Sequence, residues 1–593
     1  MKYCVLWLSL AMLVGCGGIG KTNRGQTASY SCGGVAIGST KTQQCPDGQK
    51  GTVLQVCSDK GWGEQLNTCE AIPPACADKT SFVRDVKPII DAKCASCHVS
   101  PRNYADFDVA KGTIDAFITR INLPSADSRR MPKTPKAELS AAEKALFEKW
   151  KSDGLSETGE CPIGEGGVSS LDYLETLMLN DLNKIDGAGR ANTRYLIMGG
   201  RLPGSSSGDV KLFTQGVNKA VNSISSDRDL ALVSALDTWG TVYRMDLRSY
   251  GLSGADWNIV IGADKFKFIS NTSKGQQIKA LSGTSQPWLH ADNFVFTALD
   301  APQYNQLTRV PASRSAFFQK IGVDFQGSFD DFEALLIGFF GSPISENKNR
   351  LLSRHDSSDG YLWATYDPAA VAGGNRNLFQ DPLLPETRGR DLFQFDASEM
   401  IYTLPNGLQG YALFNAAGVR QDAAPLNVVF DTDTPFNNEI RNGISCSRCH
   451  AAGLIPAQDQ IRQHVLANAS EFDRTDVELV KAYFRGAAAG DASIAQDNKT
   501  FGEGLDGIGL NNQKPDAVNF LTDNFRRDWT LKDCAGFVFM SETEFKEALN
   551  GSAQGKSQIG QLLTGGTVSQ QQFINTFPIL IRDLRLGLDP IDK

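Results

Sequence analysis

The feature that most constrains this chain is a pentapeptide that occurs twice: Cys94-Ala95-Ser96-Cys97-His98 and, about 350 residues later, Cys446-Ser447-Arg448-Cys449-His450. A C-x-x-C-H run places two thiols and an imidazole on one backbone turn. Three chemistries use its C-x-x-C part. A thioredoxin-like redox pair sits at a helix start after a strand and has no need of the histidine. A zinc site needs a second ligand pair, and the sequence near either run lacks one. Covalent haem needs all three groups, the thiols to add to its vinyl groups and the imidazole to bind its iron. Both runs are therefore read as attachment sites for haem c, with Cys94, Cys97, Cys446 and Cys449 as anchors and His98 and His450 as iron ligands.

The N-terminus supports export. After Met1-Lys2-Tyr3-Cys4 comes an apolar run, residues 5–14, too short to span a bilayer and of the right length for the h-region of a signal peptide. It ends in Leu13-Val14-Gly15-Cys16, which resembles a bacterial lipobox. The resemblance implies cleavage after residue 15, a lipid on Cys16 and, with the uncharged Gly17 and Gly18 following, sorting to the outer membrane. Residues 16–29 would then be a flexible tether to the membrane. Gly15-Cys16-Gly17-Gly18-Ile19-Gly20-Lys21-Thr22 also fits the P-loop pattern, but polar Asn23-Arg24-Gly25-Gln26-Thr27 follows where a phosphate-holding helix should open, so no nucleotide is expected.

With 593 residues, 41% of them apolar, burial is not limiting, and no later segment is apolar enough to span a membrane. The net charge of −8 and the lack of a basic, aromatic-interleaved patch argue against nucleic acid. Four of the thirteen cysteines, Cys32, Cys45, Cys57 and Cys69, fall about a dozen residues apart in a Gly-rich stretch, which reads as a small disulfide-rich β module over 30–70. Its end, Cys57-Ser58-Asp59-Lys60-Gly61-Trp62 to Cys69, resembles the tail of sushi-type modules, which pair first with third and second with fourth cysteine. Cys76 and Cys161 flank the first C-x-x-C-H run and are expected to clamp its segment; Cys534 is expected to be a buried thiol.

Around the first run, Phe82, Val83, Val86, Ile89 and Ile90 repeat at helical spacing and lead into the attachment turn. Ser140 and Glu143 form a capping-box signature for a helix bearing Ala145, Leu146, Phe147 and Trp150. This pair of helices about a C-x-x-C-H run resembles class I cytochrome c, over about residues 77–160 of a domain placed at 76–161. In that family a methionine from the loop between the helices closes the iron, and Met131-Pro132 holds the only methionine in the interval. The resemblance implies Met131 as sixth ligand.

The rest, 170–593, reads as one large mixed, mostly helical domain. Residues 171–182, 210–224 and 329–340 show helical periodicity, and Pro405-Asn406-Gly407 joins two strands into a hairpin. The stretch from His355-Asp356 through Leu404 to Tyr411 and on to Gly443-Ile444-Ser445-Cys446 resembles an uncharacterised haem-bearing domain of large exported bacterial cytochromes. That likeness implies haem attachment and no reaction. The sixth ligand of the second haem has four candidates: His355, with Asp356 beside it to hold its tautomer, ranks ahead of His290, His464 and Met400.

The expected fold class is mainly α with minor β, in three parts: disulfide-rich module, cytochrome c-like domain, large haem-bearing domain. The expected function is electron transfer between redox partners in the cell envelope by a lipid-anchored protein with two haem c groups. The competing reading is a peroxidase-like enzyme with an open second haem fed by the first; a third makes the module and large domain binders of a surface polymer or partner.

Overall fold

The computed structural model describes short strands between residues 18 and 71, residues 80, 82–94, 98, 104–124, 127–133, 138–152, 170–198, 207–237, 240–370, 374–432, 436–510 and 516–588. The chain is mostly helical with two principal sheets, both in the large domain.

The N-terminal module differs from expectation. Strands β1 (Thr40–Gln44), β2 (Thr52–Ser58) and β3 (Gly61–Asn67) pair as an antiparallel meander. Among the described residues there is no disulfide, Cys94, Cys446, Cys449 and Cys534 included. The disulfide-rich assignment is corrected accordingly: the spacing of about a dozen residues coincides with the strand-turn repeat of a meander, whose backbone ladder gives the order attributed to crosslinks. Cys32, Cys45, Cys69, Cys76 and Cys161, and the Cys57 side chain, lie outside the described residues, as do the signal segment, Cys16 and the 161–169 linker.

The segment around the first motif has its own core. A π turn (Phe82–Val86) runs into α1 (Lys87–Lys93), burying Phe82, Val86 and Ile90 on one face. After α2 (Ile114–Ile121) comes α3 (Ala141–Ser152), opened by a complete capping box: Glu143 N–H donates to Ser140 Oγ at 3.2 Å and Ser140 N–H to Glu143 Oε2 at 2.7 Å. Phe82 packs on Trp150 at 5.3 Å, which sets the π turn before α1 against α3. Lys93 at the end of α1 bonds Glu143 at the start of α3, 2.7 Å.

In the large domain, strands β4 (Thr193–Ile197), β5 (Ser234–Ala235), β6 (Val242–Asp246) and β7 (Trp288–His290) form a sheet in the order β5-β6-β4-β7. Alternation sorts their side chains between two cores. Leu196 and Leu289 point into one, with α5 (Ser207–Asn222) and α6 (Ala291–Leu299). Tyr195, Ile197 and Trp288 point into the other, with α4 (Leu171–Lys184), α12 (Leu531–Phe537) and α13 (Gln570–Asp583).

The larger sheet is a six-stranded antiparallel meander: β8 (Leu335–Phe340), β9 (Asn349–Ser357), β10 (Gly360–Tyr366), β11 (Ala397–Thr403), β12 (Gln409–Asn415) and β13 (Arg420–Gln421). The predicted 329–340 helix is instead a short helix, α8 (Phe325–Asp330), followed by β8. The hairpin is β11-β12, with Gly407 at φ +84° as the turn requires. One face carries Arg350, Arg354, Trp363, Glu399, Ile401, Gln409 and Tyr411, as the registers Arg354↔Trp363, Trp363↔Ile401 and Ile401↔Tyr411 fix. Helix α11 (Ala487–Gly507) covers part of it through Asp497, which takes bonds from Arg354 and Trp363. The opposite face carries Ser353, His355, Met400 and Tyr402, packed on Phe317 of α7 (Arg314–Lys320) and Phe325 of α8.

Candidate functional site

The second motif forms α9 (Ile444–Cys449), with His450 at its end. Gly443 starts the turn at φ +83°, and a Cβ there would lie 2.3 Å from the Leu299 carbonyl oxygen, so only glycine fits. Asn442 fixes the approach, donating to Asn305 Oδ1 at 2.7 Å and to the Tyr411 carbonyl at 3.2 Å. Cys446 and Cys449, three residues apart on one helical turn, share a side, and the His450 N–H closes the turn on the Cys446 carbonyl at 2.9 Å.

His450 is held in one tautomer. Its Nδ1 lies 3.1 Å from the Gly453 carbonyl oxygen, which can only accept, so Nδ1 carries the proton and Nε2 keeps the lone pair that binds a metal. The loop supplying that carbonyl is clamped. Asn498 of α11 accepts from Leu454 N–H at 2.6 Å and donates to the Leu454 carbonyl at 3.0 Å. Lys219 of α5, ion-paired with Asp516, reaches the Ala451 carbonyl at 3.3 Å. Burial holds the imidazole neutral, its pKa lowered to about 4. The Tyr411 ring stands 6.4 Å from it.

Both thiols are pushed above their ordinary value. Burial and the Glu399 carboxylate push the half-buried Cys446 far up, while desolvation and the Asp431 and Glu399 carboxylates push Cys449 up to about 12. Cys449 Sγ lies 3.7 Å from Asp431 Oδ2. Disulfide-exchange chemistry needs the opposite, a lowered thiol. Arg350 holds Asp367 through two bonds of 2.8 Å and Glu399 at 3.2 Å, and Arg448, between the two cysteines, pairs with Asp523 at 2.5 Å.

The remaining candidates are placed elsewhere. His355 sits in β9 rather than in a polar loop, and Asp356 points to the other face and pairs with Arg354. Two serines hold its ring, Ser328 Oγ at 2.7 Å on Nδ1 and Ser353 Oγ at 2.8 Å on Nε2, so both nitrogens are engaged. This corrects the assignment of His355 as distal ligand: strand alternation turns it away from the face that meets the motif. His464 Nε2 donates to the Phe379 carbonyl at 2.9 Å, and Asn468 Nδ2 is 3.3 Å from its Nδ1. His290 is stacked between Phe537, at 3.7 Å, and Phe539, at 5.2 Å.

At the first motif, Cys94 is buried and caps α1, and His98 N–H donates to its carbonyl at 3.1 Å; Ala95, Ser96 and Cys97 lie outside the described residues. The His98 ring is 4.7 Å from Tyr104, which leads through Phe117 to Phe147 of α3. Met131 is half-buried in the loop between α2 and α3, its N–H on the Arg120 carbonyl at 3.2 Å.

Among the described residues no group of three or more His, Cys, Asp or Glu side chains is arranged to hold a metal ion. The expected metal-binding character is corrected to that extent: the described residues hold no such group. No described helix is long and apolar enough to cross a membrane. Comparison with protein-family models, characterised proteins and solved structures returns no match. Gly453, Asn498, Lys219 and Glu399 were not legible beforehand; only Gly453, three residues after the motif histidine, left a local trace.

Proposed function

We propose that the chain is a lipid-anchored c-type cytochrome of the bacterial cell envelope that carries two haem c groups and transfers electrons between redox proteins. The observation that carries the reading is the His450 tautomer lock. An imidazole with Nδ1–H on a backbone carbonyl, Nε2 left as donor, and two protonated thiols on the preceding turn is the donor set that covalent haem needs. Haem supplies a one-electron couple. Cys446 and Cys449 would anchor one such group and His450 would orient its iron; Cys94, Cys97 and His98 would do the same in the small domain, with Met131 as the soft sixth ligand that raises its potential. Cys16 would carry the lipid that keeps the protein at the outer membrane.

Purified mature protein, denatured and extracted with acidified solvent, is expected to stay red, with an intact mass that exceeds the chain by two haems. Cys94→Ser with Cys97→Ser removes one haem and Cys446→Ser with Cys449→Ser the other. Colour passing wholly into the solvent, or a mass without porphyrin, refutes the reading. Cys16→Ala is expected to release the protein from membranes, read by fractionation.

A further inference from the structure

The helix Ala517–Arg526 joins a polar face to complete burial. Val518, Phe520, Leu521 and Phe525 serve the core, but Asn519, Thr522, Asp523 and Arg526 are polar and fall at the spacing of one helix face. A surface helix turns such a face to water. Here no residue of the helix is exposed: Thr522 is buried, and Asn519, Asp523 and Arg526 are half-buried. The polar face therefore has a cover.

The apolar faces are accounted for. Phe520 meets Phe213 of α5 edge-on at 5.4 Å, Leu521 packs on Gly216 of the same helix, and Phe525 meets Phe296 of α6 at 5.3 Å. Part of the polar face is taken by the second motif: Arg448 pairs with Asp523 at 2.5 Å, and Asn519 Nδ2 lies 3.4 Å from the Arg448 carbonyl oxygen. The other neighbour comes from the far end of the chain. Strand β1 (Thr40–Gln44) packs beside this helix, and β1 is the outer strand of its three-stranded sheet. An outer strand presents a row of N–H and C=O groups without a ladder partner, and natural sheets cover such an edge.

We propose that the N-terminal module is a strap for the second motif: β1 lies along the polar face of Ala517–Arg526, shields the Arg448–Asp523 pair from solvent, and opens that side of the motif when it lifts. A protein that competes for the β1 edge would then act on the second motif by drawing the strap away. The strap works on the protein around the motif and does not depend on the haem reading.

The test uses the full chain. A photo-crosslinking residue in place of Thr42 is expected to be recovered, after digestion, on the peptide that carries residues 517–526. Lys41→Pro with Thr42→Pro breaks β1, because one of two neighbours in an antiparallel strand gives its N–H to the ladder. In that variant phenylglyoxal is expected to modify Arg448 and Arg526 at least about fivefold faster than in the wild type, mapped by mass spectrometry, as local opening requires. Arg350, held by Asp367 on the large sheet, is expected to keep its wild-type rate. A crosslink that lands elsewhere overturns the proposal, as do unchanged rates at Arg448 and Arg526. Equal rises at all three arginines also overturn it, since the module would then hold the whole domain and not the motif.

Discussion

Gly453 and Asn498 show how two residues outside a motif decide what the motif can do. At φ +106° Gly453 has backbone freedom that other residues lack, and a Cβ there would fall 2.3 Å from Asn498 Oδ1. Asn498→Ala strands the buried Leu454 N–H and carbonyl and is expected to cost about 1–3 kcal/mol by urea denaturation. On the proposed haem reading it should also shift the midpoint potential of the second haem while leaving the first in place, a split that merely global destabilisation would not give. Gly453→Ala, strained as well as crowded, is expected to cost at least as much. His355 makes a pH prediction. Burial, with Arg354 nearby and Asp356 partly opposing, lowers it to about 3 from an ordinary value near 6.5. Between those values the unfolded chain binds a proton that the folded chain refuses, so stability is full above about pH 6.5 and falls as pH drops toward 3. From pH 7 to 5 the wild type is expected to lose about 2 kcal/mol more than His355→Gln, measured by denaturant titration at each pH.

At the scale of elements, alternation along β9 and β11 settled what local sequence left open. His355 beside Asp356 looks like an imidazole with its orienting carboxylate, but neighbours in a strand face opposite ways, and only its place in a sheet shows this. The β11-β12 hairpin was legible because Asn406-Gly407 dictates its own turn. The 329–340 stretch was not: β8 is buried through Leu335–Gly338 on both faces, and a short continuous apolar run has neither a two-residue nor a helical period to read. Its outer edge is covered by a loop. Asp459 accepts from Gly338 N–H at 3.0 Å and also from Ile461 N–H at 3.2 Å and Arg462 N–H at 3.1 Å, at the start of α10 (Ile461–Ala467). One carboxylate thus blunts a sheet edge and caps a helix. Asp459→Ala is expected to cost about 2–3 kcal/mol and to raise the tendency to aggregate, read by urea denaturation and light scattering.

Across the whole molecule, the two motifs belong to separate hydrophobic cores. Phe82, Val86, Ile90, Cys94, Phe147 and Trp150 close the small one, which shares no residue with the cores of the large domain. The first site was largely legible because its helices, cap and motif lie within some seventy residues of one another and carry local signals. The second was legible only as five residues: Asn498 is 44 positions from Leu454, and Lys219 is 232 from Ala451, so its clamps exist only once the chain has folded. Separate cores predict separate melting. On the proposed haem reading, Cys94→Ser with Cys97→Ser in the full chain removes the group attached beside the small core and should abolish one transition in calorimetry. The large-domain transition should move by less than about 1 °C, which corresponds to roughly 1 kcal/mol in a domain of that size. A shift of both transitions would mean that the two cores are energetically one.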